Sequence, residues 1–386
     1  MHSDLLAHLT RLPHRGAATP CEREAAALLS QCLTDMGAEV RLEPFRTPKT
    51  YVTVVYWLIG GLVLGLLLVR PGAWWTPALA WVYAGLAWLY FNWRYSPVVQ
   101  FPVLHTAHNV VGRWPATTNR PESVRKLILM AHYDTAPVSA LYGSSQRTFR
   151  ASLIVSLMLM VLAAGLATLE AAGVGWGWLS YARYGLVLYF VLQAVMGTIG
   201  YYLHGYTNGA SDNATGVVAA LQTADRLRHN KPAHVDLEVV LTSAEEVGML
   251  GAYYYVEKHR QSWPTGKTAA INFDTLGAGK LTVIEQTGTV EVIQYKNIAT
   301  QTARELLQNE PFREQVQTGR WHTADFDSVW FVRQHIPVLA LCALDQNGEM
   351  PRIHRPEDTI SAVDQRPLDI AVDLAEAVFR RLSVAL

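Results

Sequence analysis

Gly209-Ala210-Ser211-Asp212-Asn213-Ala214-Thr215-Gly216 is short, polar and bracketed by glycine, and it opens an apolar helical run through Val217, Val218, Leu221 and Leu227. The positive end of a helix dipole favours a carboxylate, so this stretch predicts a loop-to-helix corner that presents Asp212. Four other pieces of the chain make sense if they converge on that corner: His132-Tyr133-Asp134, Glu245-Glu246, Asp274 and His354.

Three of these pieces close apolar runs of strand type. Residues 126–131 end in His132, residues 237–242 lead to Glu245-Glu246, and residues 269–273 end in Asp274. Residues 38–45, 108–114, 281–285 and 336–341 read as further strands. Helical periodicity marks 19–37, the run after Asp212 to about Arg228, 250–259, 293–308 and 362–385. The first of these helices opens on Thr19-Pro20-Cys21-Glu22, which has the form of a capping box with proline at the first helical position, and Gly37 supplies its stop. Strands alternating with helices predict an α/β fold, a mainly parallel sheet with helices on both faces. In such sheets ligands bind beyond the carboxyl ends of the strands, where His132, Glu245-Glu246 and Asp274 stand.

The pattern is interrupted twice. Half of the 386 residues are apolar, only 17% are charged and there are 12 tryptophans, and the apolar excess is concentrated in two blocks. In the first, uncharged stretches 51–69 and 73–93 flank a turn at Arg70-Pro71-Gly72. In the second, 151–169 and 184–203 flank Glu170, a glycine-rich turn and Arg183. Each stretch approaches the about 20 residues that cross a hydrocarbon core as a helix, and the aromatic residues at their ends suit the interface. The expectation is two transmembrane helical hairpins, 51–94 and 151–203, inserted into one domain formed by 1–50, 101–150 and 204–386. An even number of spans in each insertion returns every polar segment to one side.

Arg and Lys balance Asp and Glu at 32 each, which argues against a nucleic-acid partner. Cys21, Cys32 and Cys342 form no CxxC pair, so a thiolate metal site is not expected. No HExxH, GxSxG or P-loop pattern occurs. What remains is two histidines and several acids at element ends. Carboxylates gathered at one sheet edge repel unless cations neutralise them, and mixed imidazole and carboxylate donors suit zinc or a similar divalent ion.

The order His-x-Asp, Gly-Ala-x-Asp-Asn-x-Thr-Gly, Glu-Glu, a post-strand Asp and His-x-Pro-x-Asp-Thr resembles the cocatalytic di-zinc exopeptidases. That family includes bacterial leucyl aminopeptidases, aminopeptidase Y and glutamate carboxypeptidase II. Leu12-Pro13-His14-Arg15-Gly16, Asn109-Val110-Val111-Gly112-Arg113 and Asp327-Ser328-Val329-Trp330-Phe331 before Ile336-Pro337 add to the likeness, which covers nearly everything outside the two hairpins. The resemblance implies two Zn2+ per chain: one held by His132 and Asp274, the other by Glu246 and His354, with Asp212 shared. It implies that Asp134 orients His132 and that Glu245 is the general base. Where relatives carry an Asp-His pair before Ile-Pro, this chain has Asp327-Ser328, and no role follows there. An aminoacylase-like family shares much of the ligand order but inserts a lid domain before its last His, for which the interval from Asp274 to His354 is too short.

The expected function is a membrane-anchored, zinc-dependent metallo-exopeptidase, an aminopeptidase acting on short peptides. The alternatives are a glutaminyl-peptide cyclase or other amide hydrolase on the same scaffold, and a non-catalytic membrane receptor or scaffold with a relic site. Arg46, Lys49, Arg94, Arg147 and Arg150 flank the spans on the catalytic side, against Arg70 and Arg183 in the turns. The positive-inside rule then puts a four-span protein in the lipid bilayer with its catalytic domain in the cytoplasm.

Overall fold

The apolar run before His132 forms a strand whose side chains alternate between two cores. Leu127, Leu129 and Ala131 enter one buried cluster, while Ile128 and Met130 enter another on the opposite face. Period-two alternation with both faces apolar makes this a central strand. In the computed structural model, which describes residues 2–140, 142 and 146–385, it is the third of nine strands. These are β1 (Glu39–Thr47), β2 (His105–Trp114), β3 (Arg125–His132), β4 (Val235–Thr242), β5 (Thr268–Phe273), β6 (Lys280–Thr287), β7 (Ile293–Gln294), β8 (Val316–Arg320) and β9 (Val338–Leu344).

The sheet runs β1-β2-β4-β3-β5-β9-β6-β7, with β8 paired to β6. It is parallel across β4-β3-β5-β9, but β1, β2, β6 and β7 join it antiparallel. The sheet is therefore mixed, not mainly parallel. Its parallel centre is the part that aligns the carboxyl ends of β3, β4 and β5. Helices α1 (His2–Arg11), α2 (Pro20–Asp35) and α7 (Thr215–Arg228) pack on one face with the C-terminal helix Arg366–Ala385, and α8 (Leu250–His259) packs on the other.

Two local expectations change. Thr19 caps α2 by accepting from Glu22 N, but Glu22 does not reach back. Its carboxylate turns into the sheet and accepts from Tyr133 Oη at 2.5 Å and His108 N at 3.0 Å. Residues 293–308 divide into β7 and a helix at Ile298–Leu306, because the Asn297 side chain caps a new start through Ala299 N and Thr300 N.

The apolar blocks fold as helical hairpins: α3 (Tyr51–Leu67) with α4 (Trp75–Phe91), and α5 (Gln146–Ala171) with α6 (Gly177–His204). Among the described residues, two helices are long and apolar enough to cross a membrane, at 148–171 and 177–204. The first hairpin falls short of the expectation. Helices α3 and α4 have 17 residues each, about 26 Å at 1.5 Å per residue, against a hydrocarbon core of about 30 Å. Arg183 does not close a turn; it lies within α6, where it pairs with Glu170 at 2.9 Å and donates to Leu66 O. The four helices form one bundle in which α3 packs on α4 and α6, and α5 packs on α4 and α6. Gly65 permits the close approach of α3 and α4, since a Cβ there would lie 2.9 Å from Thr76 O and 3.0 Å from Ala80 N.

Candidate metal centre

Asp212 stands where the structure is most densely braced. Asp358 accepts from Ser211 N at 2.8 Å and Asp212 N at 3.0 Å. Asn213 donates to Phe273 O at 2.9 Å and accepts from Gly216 N at 2.9 Å and Thr275 N at 3.1 Å. These bonds lock the corner to the end of β5, next to Asp274. The Asp212–Asn213 peptide is cis.

The expected residues converge on this corner. His132 Nε2 lies 3.3 Å from Asp212 Oδ1 and 3.7 Å from Asp274 Oδ2. His354 Nε2 lies 3.5 Å from Asp212 Oδ2 and 3.0 Å from Glu246 Oε2. Two triads result, His132-Asp212-Asp274 and Asp212-Glu246-His354, each with its donor atoms within 4.8 Å of one another and both using Asp212. Glu245 stands beside them, grouped with His132 and Glu246. Asp134 accepts from Glu245 N at 3.1 Å and Glu246 N at 3.3 Å, and its Oδ1 faces His132 Nδ1 at 3.6 Å. Asp134 therefore braces the Glu-Glu turn through its carboxylate and the His132 ring through its carbonyl, which Nδ1 meets at 3.3 Å.

The donor set fits divalent cations on two grounds. Asp212 Oδ2 and Glu246 Oε1 are buried and accept no hydrogen bond from the described residues, a costly state for carboxylate oxygens unless a cation faces them. The electrostatics agree. Burial drives Glu245 and Glu246 well above the ordinary carboxyl range. Burial also opposes a charge on His132, but Glu245 and Asp274 beside it hold its pKa well above the imidazole value. Four acids around two imidazoles leave excess negative charge for cations to neutralise.

Several supporting groups were not legible in the sequence. Arg15 is fully buried and donates to Tyr133 O at 2.7 Å, Asn208 O at 2.9 Å and Gly209 O at 2.7 Å, stapling the His132 and Asp212 loops together. Asp358 had a place in the motif without a role. Asp325 accepts through Oδ1 from Thr287, Tyr295 and Phe326 N, while its buried Oδ2 has no partner among the described residues and burial lifts its pKa to about 7. Only the Leu12–Gly16 and Asp-Thr patterns hinted at the first two, and nothing local marks Asp325.

Residues 193–379 match the model of peptidase family M28. The resemblance to cocatalytic zinc exopeptidases holds, and with it the enzyme class, a zinc-dependent metallopeptidase. The M28 match begins inside α6, so it contains Asp212, Glu245, Glu246, Asp274 and His354 but not His132. No curated protein matches the chain significantly. Among solved structures it is similar to BSAP, a zinc aminopeptidase from Bacillus subtilis, with TM-score 0.59 and 14% identity over 98% of this chain and 94% of that one. It is also similar to the LapA aminopeptidase of Legionella pneumophila, with TM-score 0.55 and 13% identity over 99% and 71%. A third likeness is to Bacteroides thetaiotaomicron glutaminyl cyclase bound to N-acetylhistamine, with TM-score 0.56 and 14% identity over 98% and 95%. At these identities the likeness is one of fold.

The two triads open into a cavity of about 1340 Å³, its mouth included, lined by His132, Asp212, Glu245, Glu246, Asp274 and His354 at one end. Asp325, Trp321 and Tyr142 form part of its wall. The Tyr142 ring lies 4.3 Å from His354 and 4.7 Å from Phe149 of α5. From there the cavity passes between the apolar helices.

Proposed function

We propose that the chain is a membrane-anchored di-zinc aminopeptidase that removes N-terminal residues from short peptides. The observation that carries this reading is the division of one carboxylate: Asp212 turns Oδ1 to His132 and Oδ2 to His354. His132 and Asp274 would hold one Zn2+, Glu246 and His354 the other, and Asp212 both. Ions held there supply Lewis acidity, lowering the pKa of a water and polarising the scissile carbonyl. Glu245 holds the proton released at its carboxylate and passes it to the departing amine, a general-base role for which its burial raises its proton affinity. Asp134 keeps the His132 ring and the Glu245-Glu246 turn in register, a role of the kind partners of ligating imidazoles play.

The domain reading belongs to the same proposal: 1–50, 101–150 and 204–386 form the peptidase domain, and the hairpins are its membrane insert. Helices α5 and α6 cross the bilayer and α3 and α4 lie against them. Outward positions such as Leu64, Trp81, Met158, Leu162, Leu188 and Leu192 are apolar and exposed, as a lipid-facing surface requires. Arg183 is paired with Glu170, which leaves Arg70 at the hairpin turns against Arg46, Lys49 and Arg150 at the other end, where Arg94 is likewise paired with Glu291. The side chain of Arg147 lies outside the described residues. This asymmetry supports a cytoplasmic catalytic domain; digestion of that domain by protease added outside intact cells would reverse the orientation.

The test of function is hydrolysis of an aminoacyl-coumarin amide panel by the detergent-purified protein. Cleavage lost to chelator and restored by zinc is expected. The similarity to a glutaminyl cyclase motivates one further substrate, a glutaminyl peptide. Pyroglutamyl product from it, without hydrolysis of the panel, would replace the aminopeptidase reading.

A further inference from the structure

The cavity does not end at the metal centre. Along α5 it is lined by Phe149, Leu153, Leu157 and Met160, a stripe at helical spacing. Phe149 stands next to Tyr142 and His354, and Met160 is 11 residues further on, about 16 Å away along the axis. On α3 the lining continues through Tyr51, Val55 and Ile59, and on α6 through Ala194 and Thr198. The arm thus runs from the carboxylates into the interior of the apolar bundle.

We infer that this arm binds a long hydrocarbon chain attached to the amide that the metal centre cleaves. The inference rests on the amide-hydrolase reading of that centre and names its substrate class: amphiphilic amides with one lipid-like chain. An extended peptide filling about 16 Å would bring about five residues, each with a backbone donor and acceptor that need partners. The arm does not meet that need. Ser156 donates to Ser152 O at 2.7 Å, bonds Tyr189 Oη at 2.8 Å and accepts from Gln193. Thr198 donates to Ala194 O at 2.7 Å and bonds Tyr56 Oη at 2.7 Å. These polar groups are engaged with one another, Tyr51 Oη donates to Gly197 O at 3.2 Å, and the α5 stripe of Phe149, Leu153, Leu157 and Met160 is apolar. A hydrocarbon chain makes no such demand and gains from leaving water. Hydrolysis consumes one water, breaks the amide C–N bond and leaves a carboxylate and an amine. The chain can belong to either product, so both sources are tested.

The experiment uses the full chain in nanodiscs with zinc supplied. Leucyl-alkylamides and N-acyl-leucines, from four to twelve chain carbons and below their aggregation limits, are compared by kcat/KM. In one series at least, the value is expected to rise about fourfold per methylene over part of the range and then level off. Met160→Trp moves the levelling point to shorter chains and Met160→Ala to longer ones. A flat profile in both series, with short aminoacyl amides still cleaved, overturns the arm and leaves the peptidase standing. If no amide is cleaved at all, the peptidase reading fails, and the arm is judged by calorimetry with dodecanoyl and butanoyl hydroxamates. Equal affinities overturn it. Dodecanol competing as well as the dodecanoyl hydroxamate also overturns it, because the arm would then hold bilayer lipid rather than substrate.

Discussion

The floor and the roof of the cavity are built on opposite principles. The floor is polar, and its groups are fixed one by one: Asp134 by two backbone amides, Asp212 by the grip of Asp358 on its loop, Asp274 by Thr275 at 2.9 Å. The roof is four apolar helices positioned by shape, with small residues at contacts such as Gly65 against Ala80. They are joined to the floor at a few points, notably Tyr90 Oη donating to Val247 O at 2.7 Å, directly after Glu246. In the floor, replacing one oxygen by nitrogen changes which bonds can form. In the roof, away from a few bonded groups such as Arg183 with Glu170, a change of volume is what matters.

Substitutions can break or sharpen that contrast. The largest effect is expected for Glu245→Gln, an isosteric change that removes the proton acceptor. kcat should fall about 10²- to 10⁴-fold while bound zinc, measured by plasma mass spectrometry, stays at the wild-type level. Unchanged kcat would remove Glu245 from its role. Asp358→Asn leaves one amide of the 211–212 pair facing an NH2 group instead of an oxygen. Zinc affinity should weaken about 10- to 100-fold, the usual cost of losing a partner behind a ligand, as read by competition with a chromogenic chelator.

In the roof, Gly65→Leu forces α3 from α4 and should cost about 1–3 kcal/mol of stability, seen as a lower unfolding temperature with kcat of the folded enzyme little changed. The smallest effect is expected where the roof meets the rim. Glu291 is half-exposed and accepts from Arg94 at 2.8 and 2.9 Å and from Arg333 at 3.3 Å. Partial burial works against its charge, but these guanidinium groups outweigh it and hold its pKa below the ordinary value. A lowered carboxyl pKa stabilises the fold above the unfolded value, about 4.3, and that contribution is lost as pH falls through the folded value. Glu291→Gln should therefore be less stable than the parent near neutrality by at most about 1 kcal/mol. The difference should close as pH drops below about 4.

The same contrast explains what the sequence disclosed. His132, Glu245, Glu246 and Asp274 were legible because each follows an apolar run that could only be a strand, and strand ends share one edge. Asp212 was legible as an acid opening a helix between glycines. Arg15 was not, because its partners are carbonyls of Tyr133, Asn208 and Gly209, more than a hundred residues away. Glu22 sat in a pattern that predicted a local bond, and two groups far along the chain, Tyr133 and the His108 amide, competed for it successfully. The hairpins were legible as apolar but not as a roof. Composition reports that a helix avoids water and says nothing about which way it folds over a site. Nor does it separate a helix that spans from one that leans on its neighbour, which is why α3 and α4 come out shorter than expected.

The central claim is that one carboxylate serves two ions. The direct measurement is the zinc content of the wild-type chain and of Asp212→Asn, both purified, exposed to excess zinc and freed of loose metal. Two zinc ions per wild-type chain, and fewer than one per chain in Asp212→Asn, are the predicted result. An unchanged zinc content in Asp212→Asn would contradict the account, because the two triads would then not meet at Asp212.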